Sequence, residues 1–165
     1  MPETQLLSTL RSLCDGRVQF ILVGGLAAVL QGAPIQTYDV DLVYSRDPVN
    51  TGRLLNVLQS LDAFFRVQPE RRLRPNASHL AAGGHLNLLT RFGPLDLLGT
   101  IGQQLGFEDL LPHSADLRID DETAIRVLNM EKIILLKEEL RGDKDLAVLP
   151  LLRQTLNEIR KKPRP

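Results

Sequence analysis

Tryptophan is absent from this chain, cysteine occurs once, and neither sign of charge is in excess. The lone Cys14 excludes an internal disulfide and a cysteine-built zinc site, and it suits a reducing cytoplasm. Twenty basic and twenty acidic residues cancel, so no global field recruits nucleic acid, although a local basic patch stays open. No run approaches the roughly 20 apolar residues that span a bilayer. Near the N-terminus Arg11, Asp15 and Arg17 interrupt the leucines, so no signal-peptide apolar region is expected. Repeats, low-complexity tracts and interdomain linkers are missing as well. What is there suffices for a core: 43% of the 165 residues are apolar, in a chain the size of one domain. The composition implies a soluble, cytoplasmic α/β domain with no membrane partner.

Leucines 6, 7, 10 and 13 predict an amphipathic helix over residues 3–14, ended by Asp15-Gly16. Val18 to Val23 reads as a buried strand. Gly24-Gly25 turns the chain into a short helix, Leu26 to Gln31, stopped by Gly32 and Pro34. Thr37 to Val43 reads as a second strand. Asp47-Pro48 is an N-cap followed by proline at the first helical position, and it leads a helix through Leu54, Leu55, Leu58 and Leu61. In 64–82 the pattern breaks down: Phe64, Phe65 and Val67 suggest a strand, but Pro69 and Pro75 interrupt it. Arg66, Arg71, Arg72 and Arg74 crowd there and read as a mobile, solvated loop, with a channel for RNA phosphates as the alternative. His85 to Leu89 and Leu95 to Leu98 predict a hairpin turning at Arg91-Phe92-Gly93-Pro94. A second hairpin is expected from Ala115–Ile119 to Thr123–Val127. Asn129 caps a further helix that Gly142 ends, a last helix runs from about 143 to 159, and the basic tail 160–165 frays. The fold class is α+β: a mixed, twisted sheet with flanking helices. One domain over 1–165 is expected, with its core at about 18–128 and a C-terminal helical part at about 129–160.

The chemistry-bearing feature is the pair Asp39 and Asp41, in Thr37-Tyr38-Asp39-Val40-Asp41-Leu42-Val43. Alternate side chains of a strand share a face, so the two carboxylates point together, with Cα atoms roughly 7 Å apart at about 3.3 Å per residue. Folding does not ask for two like charges on an apolar strand, and partial burial raises their cost. A cation between them removes it. Asp96, in Pro94-Leu95-Asp96-Leu97-Leu98, is a third lone carboxylate inside an apolar strand. Three carboxylates on neighbouring strands suit Mg²⁺, which takes oxygen ligands and keeps waters for phosphates. Gly24-Gly25 ahead of a helix offers close backbone approach and free N–H groups to an anionic phosphate. His79, His85 and His113 lack metal-ligand spacing and read as structural or surface residues. Cys14 reads as packing.

Together, Val23-Gly24-Gly25-Leu26-Ala27-Ala28, Thr37-Tyr38-Asp39-Val40-Asp41-Leu42 and Asp96 resemble the minimal nucleotidyltransferases of the DNA polymerase β-like superfamily. They match that family's glycine pair, Asp-x-Asp signature and later-strand carboxylate. Leu136-Lys137-Glu138-Glu139-Leu140-Arg141-Gly142-Asp143-Lys144-Asp145-Leu146 is similar to the Lys…Arg…Lys-Asp segment of the branch associated with toxin–antitoxin and abortive-infection systems. The resemblance spans about residues 18–150. It implies transfer of an NMP from an NTP to a hydroxyl of RNA or protein, with Mg²⁺, or Mn²⁺ in its place, as cofactor. Asp39, Asp41 and Asp96 would be the catalytic residues and metal ligands, the first two bridging two cations and the third serving the acceptor side as ligand and proton acceptor. Gly24 and Gly25 would hold the β- and γ-phosphates through backbone N–H groups, with Lys137 and Lys144 as further nucleotide contacts. Gly25 stands where many relatives carry a serine that touches phosphate, which removes one side-chain contact. Asp145 is expected to cap the last helix or to pair with a nearby base. A small helical protein is the partner that this branch implies. The alternative is a non-catalytic partner module of the same fold, antitoxin-like or nucleotide-sensing; the presence of all three carboxylates speaks against it.

Overall fold

Leu6, Leu10 and Leu13, spaced along one face, are buried on helix α1 (Pro2–Asp15), the first element of a computed structural model that describes residues 2–162. Strands β1 (Phe20–Val23), β2 (Val40–Tyr44), β3 (Phe64–Phe65) and β4 (His85–Thr90) follow along the chain. They join β5 (Gly93–Leu98), β6 (Ser114–Arg118) and β7 (Ala124–Leu128) in one mixed sheet, ordered β3-β4-β5-β2-β1-β7-β6. Helices α2 (Gly24–Leu30), α3 (Pro48–Ser60) and α4 (Ala77–Ala82) alternate with the early strands. A short α5 (Phe107–Leu110) precedes the second hairpin, and α6 (Met130–Leu140) and α7 (Asp143–Lys161) close the chain. The α+β architecture with C-terminal helices is the one expected.

Period-two alternation sorts the central strands by face. Val40, Leu42 and Tyr44 of β2 and Leu95 and Leu97 of β5 are all buried, on the face where Tyr44 Oη donates to Leu80 O of α4 at 2.8 Å. Each such aliphatic side chain contributes roughly 1.5–3 kcal/mol on burial, so this layer fixes the strands that carry the aspartates. Asn50, buried in α3, accepts the Gln19 N–H at 2.6 Å and donates to Ser45 O at 2.7 Å, tying the start of β1 to the end of β2. Asp47 caps α3, accepting from Val49 N at 3.0 Å, and Asn129 caps α6, accepting from Lys132 N at 2.9 Å. Both caps are the ones the residue types imply.

Several boundaries differ from the sequence reading. Val18 and Gln19 precede β1, and the strand with the aspartates begins at Val40, not Thr37. Gly24 and Gly25 do not turn the chain ahead of α2; they form its first turn. Gly93-Pro94 belongs to β5. Helix α6 is ended by Arg141 in the left-handed region (φ 53°), and Gly142 is instead the N-cap of α7. Within 64–82 lie a two-residue strand, a 3-10 turn at Pro69–Arg71, and α4, which Asn76 and His79 cap reciprocally. Of the basic tail, Arg160 and Lys161 form the last turn of α7 and do not fray, and Pro163 to Pro165 lie outside the described residues.

Candidate active site

Strand pairing brings the three carboxylates together. β2 and β5 run parallel with Asp41 opposite Asp96, and residues in register share a face. Asp39 sits one residue ahead of β2. One carboxylate oxygen from each of Asp39, Asp41 and Asp96 lies within 4.8 Å of the others, and all three residues are partly buried. Among the described residues no other three His, Cys, Asp or Glu side chains are grouped in this way.

The cluster carries an electrostatic penalty. The Asp41 carboxyl is pushed from its ordinary 3.8 up to about 7, first by burial, then by its hydrogen bond to Asp96 and the charges of Asp96 and Asp39; Lys137 pulls the other way. A proton held on Asp41 is one remedy for the crowding, and a divalent cation is another. Three oxygen donors with no nitrogen or sulfur among them match a hard ion of the Mg²⁺ type.

Beside the cluster, β1 ends with Val23 opposite Asp41 and passes directly into α2. Gly24 has φ +71°, and a Cβ there would collide with Asp41 Oδ2, so a side chain at this position is strained and displaces Asp41. At Gly25 an added Cβ would come within 3.0 Å of Thr37 Oγ1. Val23, the N-cap of α2, offers no side-chain acceptor to the first-turn N–H groups.

The two flanks of the cluster differ. On one lies a cavity of 150 Å³, lined by Val23, Gly24 and Asp41 and by Ile133, Leu136 and Lys137 of α6. Lys137 Nζ is held by Asp145 Oδ1 at 2.9 Å, the pairing with a base expected for Asp145. Lys144 is exposed in the first turn of α7 and does not line this cavity. On the other flank Arg66 Nη2 donates to Asp96 Oδ1 at 2.6 Å and to Leu88 O at 3.1 Å.

The arginine segment is solvated, as expected, with Arg71, Arg72 and Arg74 exposed, but Arg66 is partly buried and turned toward the cluster, and the other three each have a partner. Arg74 pairs with Asp62, Arg71 donates to Gln68 Oε1 at 3.1 Å, and the Arg72 guanidinium lies 4.6 Å above the Phe64 ring. Arg66 is the site residue that sequence reasoning misses. Its signal is register: Arg66 N–H donates to Asn87 O at 2.9 Å, and Asn87 stands opposite Asp96. His79 serves its cap and meets the Phe65 ring edge-on at 5.0 Å, a structural role as expected. Cys14 is half-buried, its thiol pushed up by burial and then by Asp15 and Asp120, which agrees with packing. No helix among the described residues is long and apolar enough to cross a membrane.

No family model matches the chain, and no curated protein matches it in sequence. Solved structures do share its fold. The lincosamide antibiotic adenylyltransferase LnuA, in its lincomycin-bound crystal structure, superposes with a TM-score of 0.62 at 14% identity, over 93% of this chain and 97% of that one. The Thermotoga maritima protein TM1012 gives 0.57 at 18% identity, over 96% of each chain. The antibiotic-resistance factor ANT(2″)-Ia, solved in solution, gives 0.58 at 14% identity, over 94% of this chain and 86% of that one. The fold of this chain is a nucleotidyltransferase fold.

Proposed function

We propose that this chain transfers a nucleoside monophosphate from an NTP to a hydroxyl group. The observation that carries the reading is the Asp39, Asp41 and Asp96 cluster, gathered within 4.8 Å beside a glycine that leaves the adjacent backbone bare. These three residues fit Mg²⁺, or Mn²⁺ in its place, as ligands and as the catalytic set. Bound there, the cations supply charge neutralisation on the phosphate oxygens and acidify the acceptor hydroxyl. Gly24 and Gly25 present backbone N–H groups to the β- and γ-phosphates. Lys137, aimed by Asp145, adds a positive charge at the cavity wall, and Lys144 serves as an outer contact.

In the reaction the hydroxyl oxygen bonds to the α-phosphorus. The bond from that phosphorus to the oxygen bridging the β-phosphate breaks, and pyrophosphate leaves with the electron pair. The hydroxyl proton passes to Asp96 and on to water. Such transfer depends chiefly on positioning and charge neutralisation, and two strands locked in register supply the first. We take residues 1–165 as one nucleotidyltransferase-like domain working in the cytoplasm, where NTP and Mg²⁺ are at hand.

An RNA or protein hydroxyl is the acceptor supported by the Lys137 to Asp145 segment, within a toxin–antitoxin-type system that has a small helical partner. A second reading, a small organic hydroxyl compound, is favoured by the likeness to the antibiotic adenylyltransferase LnuA over nearly the whole of both chains. The mostly apolar cavity of 150 Å³ beside Asp41 also suits a ring system. Incubation with each labelled NTP, Mg²⁺ and cell extract, resolved into macromolecular and small-molecule fractions, separates the two. The Asp39→Asn/Asp41→Asn double variant should label neither fraction. Absence of both labelling and NTP binding in the wild type overturns the proposal. A stable partner neutralised equally well by wild type and by Asp39→Asn would establish a non-catalytic module instead.

A further inference from the structure

A polar row crosses the sheet from Asp41. Asp41 pairs with Asp96, Asp96 pairs with Asn87, and just past β3 the Arg66 N–H donates to Asn87 O at 2.9 Å. Neighbours in register share a face, so Arg66 lies on the face that carries the carboxylates. Its guanidinium reaches back across β4, and Nη2 serves two acceptors, Asp96 Oδ1 at 2.6 Å and Leu88 O at 3.1 Å. Arg66 Nε is buried and has no partner. An unpaired buried donor is a cost to the fold, and a partly buried ion pair adds little net stability. Folding alone gives no reason for this pose. Its direct product is a fixed Asp96.

We propose that Arg66 is a positioning residue that restrains the third carboxylate, holding one oxygen of Asp96 and opposing a cation there through its charge. This rests on the metal-dependent reading above. With Oδ1 engaged by Arg66, Asp96 has its second oxygen left for a cation, so two-oxygen ligation is blocked. The ammonium of Lys137, on the opposite flank, is already engaged by Asp145. Among the described residues, Arg66 is therefore the cation that an ion pair joins to the cluster. It keeps the affinity for a divalent ion low until an anionic triphosphate arrives to offset its charge.

The test is a Mn²⁺ titration of the full chain without nucleotide, followed by electron paramagnetic resonance of the free ion. Arg66→Met and Arg66→Gln should bind Mn²⁺ about tenfold more tightly than wild type, a change of about 1.4 kcal/mol. Arg66→Lys, which keeps the charge, should stay near wild type. Circular dichroism identifies any variant that fails to fold; Arg66→Gln, able to keep the bond to Leu88 O, then stands in for Arg66→Met. Equal or weaker Mn²⁺ affinity in folded Arg66→Met and Arg66→Gln would reduce Arg66 to a structural brace and overturn the inference while leaving the metal site intact. Failure of every form to bind Mn²⁺ both alone and with a non-hydrolysable NTP would overturn both readings; binding by every form only when the NTP is present would overturn the inference alone.

Discussion

Two hairpins in this molecule each place one aspartate in mid-strand, and the two meet opposite fates. Asp96 lies in β5, between β2 and β4, whereas Asp116 lies in β6, at the edge beyond β7. The Asp96 side chain is 17% exposed and sits 2.6 Å from Arg66; that of Asp116 is 70% exposed and 3.6 Å from Arg126. Along the chain the two segments look alike, a carboxylate next to a leucine with an arginine across the sheet. Sheet order separates them. An interior strand sets its aspartate against another carboxylate, and the crowding creates a need for positive charge. An edge strand gives its aspartate to water, where an ion pair is worth little.

Asparagine at the interior position is the sharpest way to test that contrast. Asp96→Asn and Asp41→Asn should each lower NMP transfer on the order of 10³-fold, the scale expected when a charge-neutralising centre loses a ligand. Asp116→Asn should leave transfer within about twofold and stability within about 0.5 kcal/mol. Label incorporated from NTP reads the first effect, and thermal melting reads the second. Equal losses at Asp96 and Asp116 would mean that the hairpins differ in exposure alone.

The backbone beside the interior cluster should be nearly as intolerant. Gly24→Ala meets a positive φ and a collision with Asp41 Oδ2, whereas an added Cβ at Gly84, just before β4, meets nothing within 4 Å. Displacing Asp41 should weaken Mn²⁺ binding about 10–100-fold, the usual range when the support of a ligand is disturbed. Gly84→Ala should bind as wild type does. Titration calorimetry with Mn²⁺ compares them directly.

This contrast also marks how far the sequence can be read. Asp41 and Asp96 are legible because each interrupts an apolar strand, and Asp39 because it stands two residues before Asp41; a charge without a local reason to be there invites a ligand. Asp47 and Asn129 announce their helices through capping chemistry that lies within four residues. The placing of Asp96 beside Asp41 is expected only through the family resemblance, because no local pattern says which strands lie side by side, and Asp116 looks much like Asp96 until the order is known. Arg66 escapes for a related reason. β3 has two residues, too few for a period of two to show, and the link from Arg66 through Asn87 to Asp96 exists only in the register. Gly24 misleads in another way: α2 starts on a left-handed glycine without a capping side chain, so nothing in the sequence marks that first turn as helical.

A smaller effect is expected at the cavity wall. Lys137→Met should weaken NTP binding about tenfold, the loss of one charge-assisted contact to phosphate. Asp145→Asn, which releases the Lys137 ammonium without removing it, should cost about threefold. Arg126→Met, the matching removal of a basic side chain on the edge hairpin, should change nothing in the same titration with a non-hydrolysable NTP. A loss at Arg126 as large as at Lys137 would place nucleotide contacts along the whole sheet.

The least effect, and the most direct reading of the crowding itself, is in the pH dependence of the metal-free fold. Asp41 is pushed from 3.8 to about 7, chiefly by burial and then by Asp96 and Asp39. Between those values the unfolded chain has released a proton that the folded chain keeps. The native state then binds more protons, so stability falls as pH rises through this window and is level on either side of it. With chelator present, the melting temperature should fall as pH rises through the window and level off above it. Asp41→Asn should flatten the curve, and Asp116→Asn should keep it. Mg²⁺ added above the window at a concentration high enough to saturate even a weak site should return the lost degrees to wild type and to Asp116→Asn but not to Asp41→Asn, because the ion replaces the proton only where carboxylates crowd. A flat wild-type curve would mean that the interior aspartates sit together without strain, and the difference between the two hairpins would then be one of position without consequence.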